Sequence, residues 1–378
     1  MDIRCLTNNI KFEFAYNDQS ICEKILNLFA IKKNTISNSK ILVTGGLGYI
    51  GSHTSVELIK QGFEVIIVDD LSNSSPSVLE GIKKIIDYPI KFIELDLKDK
   101  NSVKDLFELN PDISGVIHFA ASKAVGESRI KPIEYYENNL VSLINLLKEI
   151  DKKGDSFPFI FSSSCTVYGQ ADQLPISELA PIKKAESPYG NTKQVGEEIL
   201  FDALIANKFL RVVSLRYFNP IGAHPSGEIG ELPNGKPQNL VPFITQTAAG
   251  IHKKLSVFGN DYPTIDGTCI RDYIHIVDLA KAHVVALRHL TIKNQVKSFE
   301  IFNIGTGKGS TVLEVIKTFE KISGQSLNYD ISPRRKGDIT AAYADTRKAN
   351  KVLGWEAELS LEEALVSAWK WEKKIREL

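Results

Sequence analysis

No run of apolar residues in this 378-residue chain approaches the ~20 positions that a helix needs to cross a bilayer. The N-terminus lacks the apolar core of a signal peptide, and Asp2, Glu13, Asp18 and Glu23 are out of place in an acid-poor transit peptide. Neither charge is in excess. Lys+Arg and Asp+Glu stand at 46 each, which removes the general field that draws a nucleic acid or an anionic membrane. Cysteine is scarce and scattered. Cys5, Cys22, Cys165 and Cys269 form no CxxC pair, so no disulfide framework and no metal site is expected, and a reducing compartment fits. Internal repeats and low-complexity tracts are also missing. These absences leave a cytoplasmic enzyme, with no nucleic-acid or membrane partner, as the expectation.

What is present is the rhythm of an α/β protein. Apolar residues make up 43% and charged residues 24%, an ordinary globular balance, and the length suits one large α/β unit or two domains. Residues 1–39 stand apart as polar and rich in Asn, Lys and Ile. Within them "ICEKILNLFAIKK" puts Ile21, Ile25, Leu28 and Phe29 on one helical face. An appended short helix with a flexible linker is expected there, a partner-binding helix being the alternative. From Lys40 onward "KILVTG", "EVIIVDD", "IKFIELD", "SGVIHFA", "PFIFSSS" and "RVVSLRY" read as strands. Helical patterns over 49–60, 76–87, 101–109, 132–150 and 188–207 alternate with them. Short buried-type strands between helices predict a Rossmann-type doubly wound parallel sheet covered on both faces. After about Phe218 prolines, glycines and short elements dominate, with helical signals near 240–250, 277–290, 311–322 and 360–375. The expected division is a Rossmann domain over 40–218, taking in parts of 240–300, and a smaller C-terminal α/β region over 219–378.

"GGLGYIG" supplies Gly45, Gly48 and Gly51 directly after strand "KILVT" and at the opening of a helix. The first glycine permits a tight turn, the second lets backbone approach a pyrophosphate, and the third lets helix pack on strand. The diphosphate then lies on the helix N-terminus, where unpaired N–H groups and the helix dipole favour an anion. Eighteen residues beyond Gly51, "EVIIVDD" ends in Asp69 and Asp70. A carboxylate there accepts both ribose hydroxyls and repels a 2′-phosphate, which favours NAD over NADP. The alternative is a glycine turn that serves packing alone. Asp96 ends the third strand, where it meets an adenine or else caps a helix. Phe119, Ala120 and Ala121 end the fourth, on the edge where such sheets bind ligands.

Tyr189 and Lys193 are four residues apart in "SPYGNTK", so on a helix they share a face, and Pro188 suits its first turn. A nearby ammonium and a positively charged nicotinamide ring both push a phenol pKa down from about 10. A phenol so tuned takes a proton from a hydroxyl. Ser164, at the end of "PFIFSSS", reaches the same hydroxyl. The three together predict oxidation of an alcohol, with the proton going to Tyr189 and the hydride to NAD⁺.

"GGLGYIGSHT", "HFAASKAVGES", "EYYENN", "SSSCTVYG", "SPYGNTK", "RYFNPIGAHPSGEIGE", "FGNDYPTIDGTCIRDYIHIVDLA" and "PRRKGD" together resemble the UDP-glucose 4-epimerase family of extended short-chain dehydrogenases/reductases. The resemblance covers about residues 40–375 and leaves residues 1–39 outside. It implies that Tyr189 is the acid/base, with Lys193 lowering its pKa and holding the nicotinamide ribose, and Ser164 beside the sugar 4-OH. It implies NAD contacts from Gly45, Gly48, Tyr49, Ile50, Gly51, Asp69, Asn73, Ser74, Asp96, Leu97, Phe119, Ala120, Ala121, Lys123, Asn138, Tyr189, Lys193 and Phe218. It implies UDP-hexose contacts from Lys123, Ser164, Tyr189, Phe218, Asn219, Asn239, Leu240, Phe258, Arg271, Arg335, Asp338 and Ala342. In the implied reaction the sugar C4 becomes a ketone, the ketopyranose turns over, and hydride returns to its other face, so NAD stays bound. Galactose metabolism is the implied setting. A homodimer is implied as well, with helices near 102–109 and 131–150 as its candidate interface.

Ala342 stands where family members confined to plain hexoses carry a tyrosine, so UDP-GlcNAc and UDP-GalNAc are expected to be accepted too. Two alternatives remain. A nucleotide-sugar 4,6-dehydratase of the same fold needs an Asp–Glu pair where Cys165 and Thr166 stand. A non-catalytic NAD-sensing regulator would be expected to have lost Tyr189 or Lys193.

Overall fold

The computed structural model describes residues 39–291, 299–335 and 337–377; the helix expected within residues 1–39 falls outside them. Six strands form where the apolar runs predict them: β1 Lys40–Thr44, β2 Glu64–Asp69, β3 Lys91–Glu94, β4 Ile113–His118, β5 Phe157–Ser164 and β6 Leu210–Tyr217. A seventh strand, Phe299–Ile304, was not expected from the sequence and pairs in parallel with β6. The sheet order is Phe299–Ile304, β6, β5, β4, β1, β2, β3, and every pairing is parallel. The order reverses beside β1, the switch point at which doubly wound sheets bind ligands.

Alternation along the strands builds two cores. Ile41, Val43, Val65, Ile67, Val213 and Leu215 face helices Tyr49–Lys60, Pro76–Ile85 and Ile276–Thr291. Leu42, Ile66, Val68, Val116, Phe159 and Phe161 face helices Lys100–Leu109, Ser142–Ile150 and Pro188–Ala206. Helix starts are written in the sequence. Ser75, Asp99 and Ser187 each accept a backbone N–H as caps, and Pro76 and Pro188 occupy the first turn. A third core, around Ile221, Val241, Ile244, Val257, Tyr273, Val315, Phe319 and Leu365, supports the C-terminal part.

The single helix expected over 132–150 is interrupted. Pro132–Tyr136 gives way to a π-turn at Glu137–Val141 before Ser142–Ile150 resumes. Asn139 is the reason: its Oδ1 accepts from Ser122 N, and its Nδ2 donates to Ser122 O and Thr192 Oγ1. The extra residue per turn turns a polar side chain inward onto the loop after β4 and the helix that carries Tyr189.

Burial holds three histidines neutral. It depresses His53 and His118 to about 3 and His283 to about 4 from an ordinary 6.5. The unfolded chain therefore binds more protons than the folded one in this window, so stability is full above about pH 6.5 and is lost as pH falls toward 4. Urea unfolding at pH 7 and pH 5 is expected to show the midpoint falling with acidification. The total change is on the order of a few kcal/mol.

Candidate active site

The parallel strands bring their carboxyl ends to one edge, and most of the expected site residues meet there. Gly45 has φ +65°, and the turn it makes lets Gly45 N and Gly46 N donate to Val68 O at 2.8 and 3.2 Å. A Cβ on Gly45 would lie 2.7 Å from Ala120 N, and one on Gly51 would lie 2.3 Å from Gly45 O. The cradle therefore exists only without side chains at these positions. Gly48 caps helix Tyr49–Lys60 with no side-chain bond, so its first N–H groups are left to an anion.

Asp69 is buried at the end of β2. Its Oδ2 accepts from Leu47 N, and its Oδ1 accepts from Leu71 N and Ser74 Oγ. Leu71 takes a positive φ of 58° in this turn, a conformation uncommon outside glycine. Asn73 is exposed beside it. Asp96 does not cap the next helix, because Asp99 does; Asp96 instead pairs with Lys98. Leu97 is in the core, and Ile50 and Ala120 pack at its margins. Phe119 N donates to Thr44 O. Asn138 lies within hydrogen-bonding distance of Lys98 and of Ser122, which follows Ala121.

Tyr189 and Lys193 are both buried on one face of helix Pro188–Ala206. Lys193 Nζ donates to Ser162 O at 2.7 Å and stands 5.9 Å from the centre of the Tyr189 ring. Register puts Ser164 of β5 opposite Tyr217 of β6. With the protein's own groups alone, the phenol of Tyr189 lies above its ordinary range. Burial raises it first and Tyr217 adds to the rise, while a hydrogen bond from Ser164 opposes both. Burial also lowers Lys193 to about 8, with Glu197 pulling the other way. Desolvation acts against charge on both groups.

The C-terminal part faces this edge. Arg335 covers Phe258, with its guanidinium 4.8 Å from the ring centre, and pairs with Asp338 at 3.0 Å. Arg271 does not pair with Asp272; its Nη1 donates to Ile270 O. Asn219 opens a short strand paired with Tyr273–His275. Asn239 precedes helix Leu240–Ala248 and donates to Glu231. Phe218 and Ala342 are buried in one cluster with Val167, Tyr168 and Ile176.

Three members of the site were missed by sequence reasoning. Glu231 accepts from Asn239 at 2.6 Å and lies 3.4 Å from Lys123, which joins two residues expected at the UDP-hexose, the second of them expected at the cofactor too. Tyr49, already expected at the cofactor, bonds through its hydroxyl to Gly222 O in the same seam. Glu197 and Arg216 form a buried ion pair between helix Pro188–Ala206 and β6. The spacing of Glu197, four residues past Lys193, was the available signal. Among the described residues no group of three or more His, Cys, Asp or Glu could hold a metal ion, and no helix is long and apolar enough to cross a membrane. Cys165 is pushed up to about 12 by burial, and the Thr166 hydroxyl is buried without a partner. Neither offers the acid or base that a dehydratase asks of these positions.

The family model described as GDP-mannose 4,6 dehydratase matches residues 42–367. A UDP-glucose 4-epimerase of Bacillus subtilis is 50% identical over 332 residues, covering 88% of this chain and 96% of that protein. A crystal structure of UDP-glucose 4-epimerase from Bifidobacterium longum, in complex with NAD⁺ and UDP, is 48% identical. It superposes with a TM-score of 0.85 over 89% of this chain and 98% of that one. The UDP-Glc/GlcNAc 4-epimerase of Campylobacter jejuni is 39% identical, with a TM-score of 0.76 over 89% and 99% of the two chains.

The glycine turn gives a direct test. Gly51→Ala drives a Cβ against Gly45 O, and overpacking of this kind costs about 1–3 kcal/mol. The expected result is a lower Tm and a purified protein that retains less bound dinucleotide, read by absorbance after denaturation.

Proposed function

The chain belongs to the UDP-glucose 4-epimerase family, and from that membership we propose that it interconverts UDP-galactose and UDP-glucose by transient oxidation at C4 of the hexose. The observation that carries this reading is the convergence of the glycine cradle, Asp69, Ser164, Tyr189 and Lys193 on one edge of the sheet. The residues fit NAD. Gly45 and Gly51 leave a space that a Cβ would fill, and Asp69 is held at the strand end by Leu47, Leu71 and Ser74. Phe119, Ala120, Ala121, Lys123 and Asn138 are the further residues assigned to it. Bound NAD⁺ supplies a hydride acceptor and a positive ring charge.

The chain's own residues handle the proton. Tyr189 takes the proton of the sugar 4-OH through its phenol oxygen and later returns it, and Ser164 steadies that hydroxyl from β5. Lys193 places its ammonium behind the phenol, anchored on Ser162 O. Burial of Tyr189 excludes bulk water, so the phenol is protonated until a positive charge is close by. Arg271 and Arg335 are assigned to the diphosphate, which suits bidentate guanidinium recognition. Phe258 is assigned to uracil and Asp338 to a ribose hydroxyl. Asn219, Asn239 and Leu240 are assigned to the same ligand. Anchoring through UDP leaves the hexose free to present either face, a use of remote binding to position the reacting carbon.

Ala342 carries the specificity reading, in which both plain and 2-acetamido hexoses are accepted. Its small side chain beside Phe218 supports that reading. A homodimer also belongs to the proposal. Leu109 on the stretch 102–109 and Ile133 on the stretch 131–150 supply exposed apolar surface for it. A cytoplasmic setting and a role in galactose metabolism complete it.

Incubating purified protein with each of four UDP-sugars, and measuring its nicotinamide content, tests the reading. Epimerisation without net NADH is expected, and release of stoichiometric NADH would sink it. Tyr189→Phe is expected to lower kcat by about 10²–10⁴-fold with UDP affinity retained. Ala342→Tyr is expected to lose turnover of UDP-GalNAc at least roughly tenfold more than turnover of UDP-galactose, about 1–3 kcal/mol of steric discrimination. Activity on UDP-galactose serves as the control for folding.

A further inference from the structure

Helix Pro188–Ala206 buries Tyr189, Lys193 and Glu197 at successive four-residue steps, so a phenol, an ammonium and a carboxylate share one stripe. Glu197 is tied to both neighbouring strands. Its Oε1 accepts from Ser163 Oγ at 2.6 Å, Ser214 Oγ at 2.7 Å and Arg216 Nε at 3.0 Å, and its Oε2 accepts from Arg216 NH2 at 2.5 Å. Ser163 adjoins Ser164, and Arg216 adjoins Tyr217. Arg216 is stacked 4.8 Å over Tyr168, whose hydroxyl donates to Asn303 on the edge strand. The carboxylate therefore fixes the helix against β5 and β6 at the level where the chemistry is done.

Lys193 has few other supports. β5 offers it only the carbonyl of Ser162 and the face of Phe161, 5.1 Å away. From β4, His118 is neutral, bonded through Nδ1 to Thr44 Oγ1. On its own helix stand the phenol of Tyr189 and the carboxylate of Glu197. Glu197 is the one anion among these groups. We propose that Glu197 is a positioning residue for the reaction: locked by Arg216, its carboxylate is the countercharge that keeps Lys193 an ammonium beside Tyr189. Arg216 sets the strength of that countercharge by neutralising part of it. This rests on the assignment of Tyr189 and Lys193 as the acid–base machinery.

The pH dependence of kcat separates this from a purely structural ion pair. Above its pKa Lys193 loses the proton that supports phenolate, so kcat falls on the basic side. Glu197→Gln removes the countercharge and leaves Arg216 positive. The basic limb is then expected to move down by about one pH unit, roughly a tenfold loss of kcat on that limb, with little change in KM for the UDP-sugar. Arg216→Lys, which keeps a cation against Glu197, is expected to hold the limb near its wild-type position. Glu197→Asp, which keeps the charge, is expected to restore it. Thermal unfolding is measured alongside, because each single change lowers stability whatever the role. A limb that falls in Glu197→Gln and returns in Glu197→Asp supports the proposal. A Glu197→Gln limb that coincides with wild type, or a Glu197→Asp limb that falls as far, overturns it. If the wild-type protein epimerises no UDP-hexose, the underlying assignment fails instead.

Discussion

Desolvation of the phenol–ammonium pair is the constraint on which the rest of the site depends. Sealing Tyr189 and Lys193 against the sheet keeps bulk water from both, but the same burial raises the phenol and lowers the amine. Left alone, both groups settle into their neutral forms. Charge survives only where the fold supplies fixed partners. The Ser162 carbonyl and the Glu197 carboxylate are such partners on the protein side, and Arg216 with the Ser163 and Ser214 hydroxyls makes burial of that carboxylate tolerable. Removing one member of a buried ion pair strands the other, at about 3–5 kcal/mol. The strand ends therefore carry serine and arginine where a purely structural sheet would carry valine.

The same logic joins the C-terminal part to the sheet. Asp272 is fully buried and accepts from Thr306 N, Thr306 Oγ1, Gly307 N and Ala344 N at 2.7–3.1 Å. Asp278, also buried, accepts from Glu358 N and Leu359 N. Burial lifts both carboxyls while those donors pull them down. Each aspartate gathers backbone from segments 34 to 81 residues away. Asn219, Arg271 and Ala342 thus reach the edge where the cofactor turn lies. Such a joint fixes geometry through directed bonds, whereas apolar contact alone tolerates sliding.

The legible parts of the fold were those whose signal is local. Six strands and the main helices follow from apolar runs, caps and prolines within a few residues of one another. The glycine turn is visible because backbone approach excludes a Cβ whatever the tertiary context. Phe299–Ile304 was missed because Glu300 and Asn303 break "FEIFNI" into neither an apolar run nor an alternation, and it sits among short elements. Its place beside β6 is set by long-range pairing. The π-turn at Glu137–Val141 was missed because it answers to Ser122 and Thr192, which are distant in sequence. Glu197 and Arg216 were missed because a carboxylate and a guanidinium read as surface until the partner is known. The depth at which Tyr189 lies was not legible for a related reason: spacing reveals the cation but not the burial.

Rigidity is unevenly distributed across the site, and the proposed chemistry explains why. Hydride leaves one face of the sugar and returns to the other, so the phenol must stay fixed while the hexose turns. On the fixed side, Tyr189, Lys193, Glu197, Arg216 and Ser164 are all buried and come from two adjacent strands and one helix. On the nucleotide side, Phe258, Arg335 and Asn239 are exposed and stand on short strands and loops. Here Arg335 of the pair Arg335–Asp338 is half-exposed, and contacts on an exposed guanidinium exchange with little loss of stability. A ligand phosphate can therefore take over Arg335 without unfolding anything, while nothing comparable can be done to Glu197. Tight hold on the acid–base pair and loose hold on the sugar follow from where the chain spends its buried hydrogen bonds.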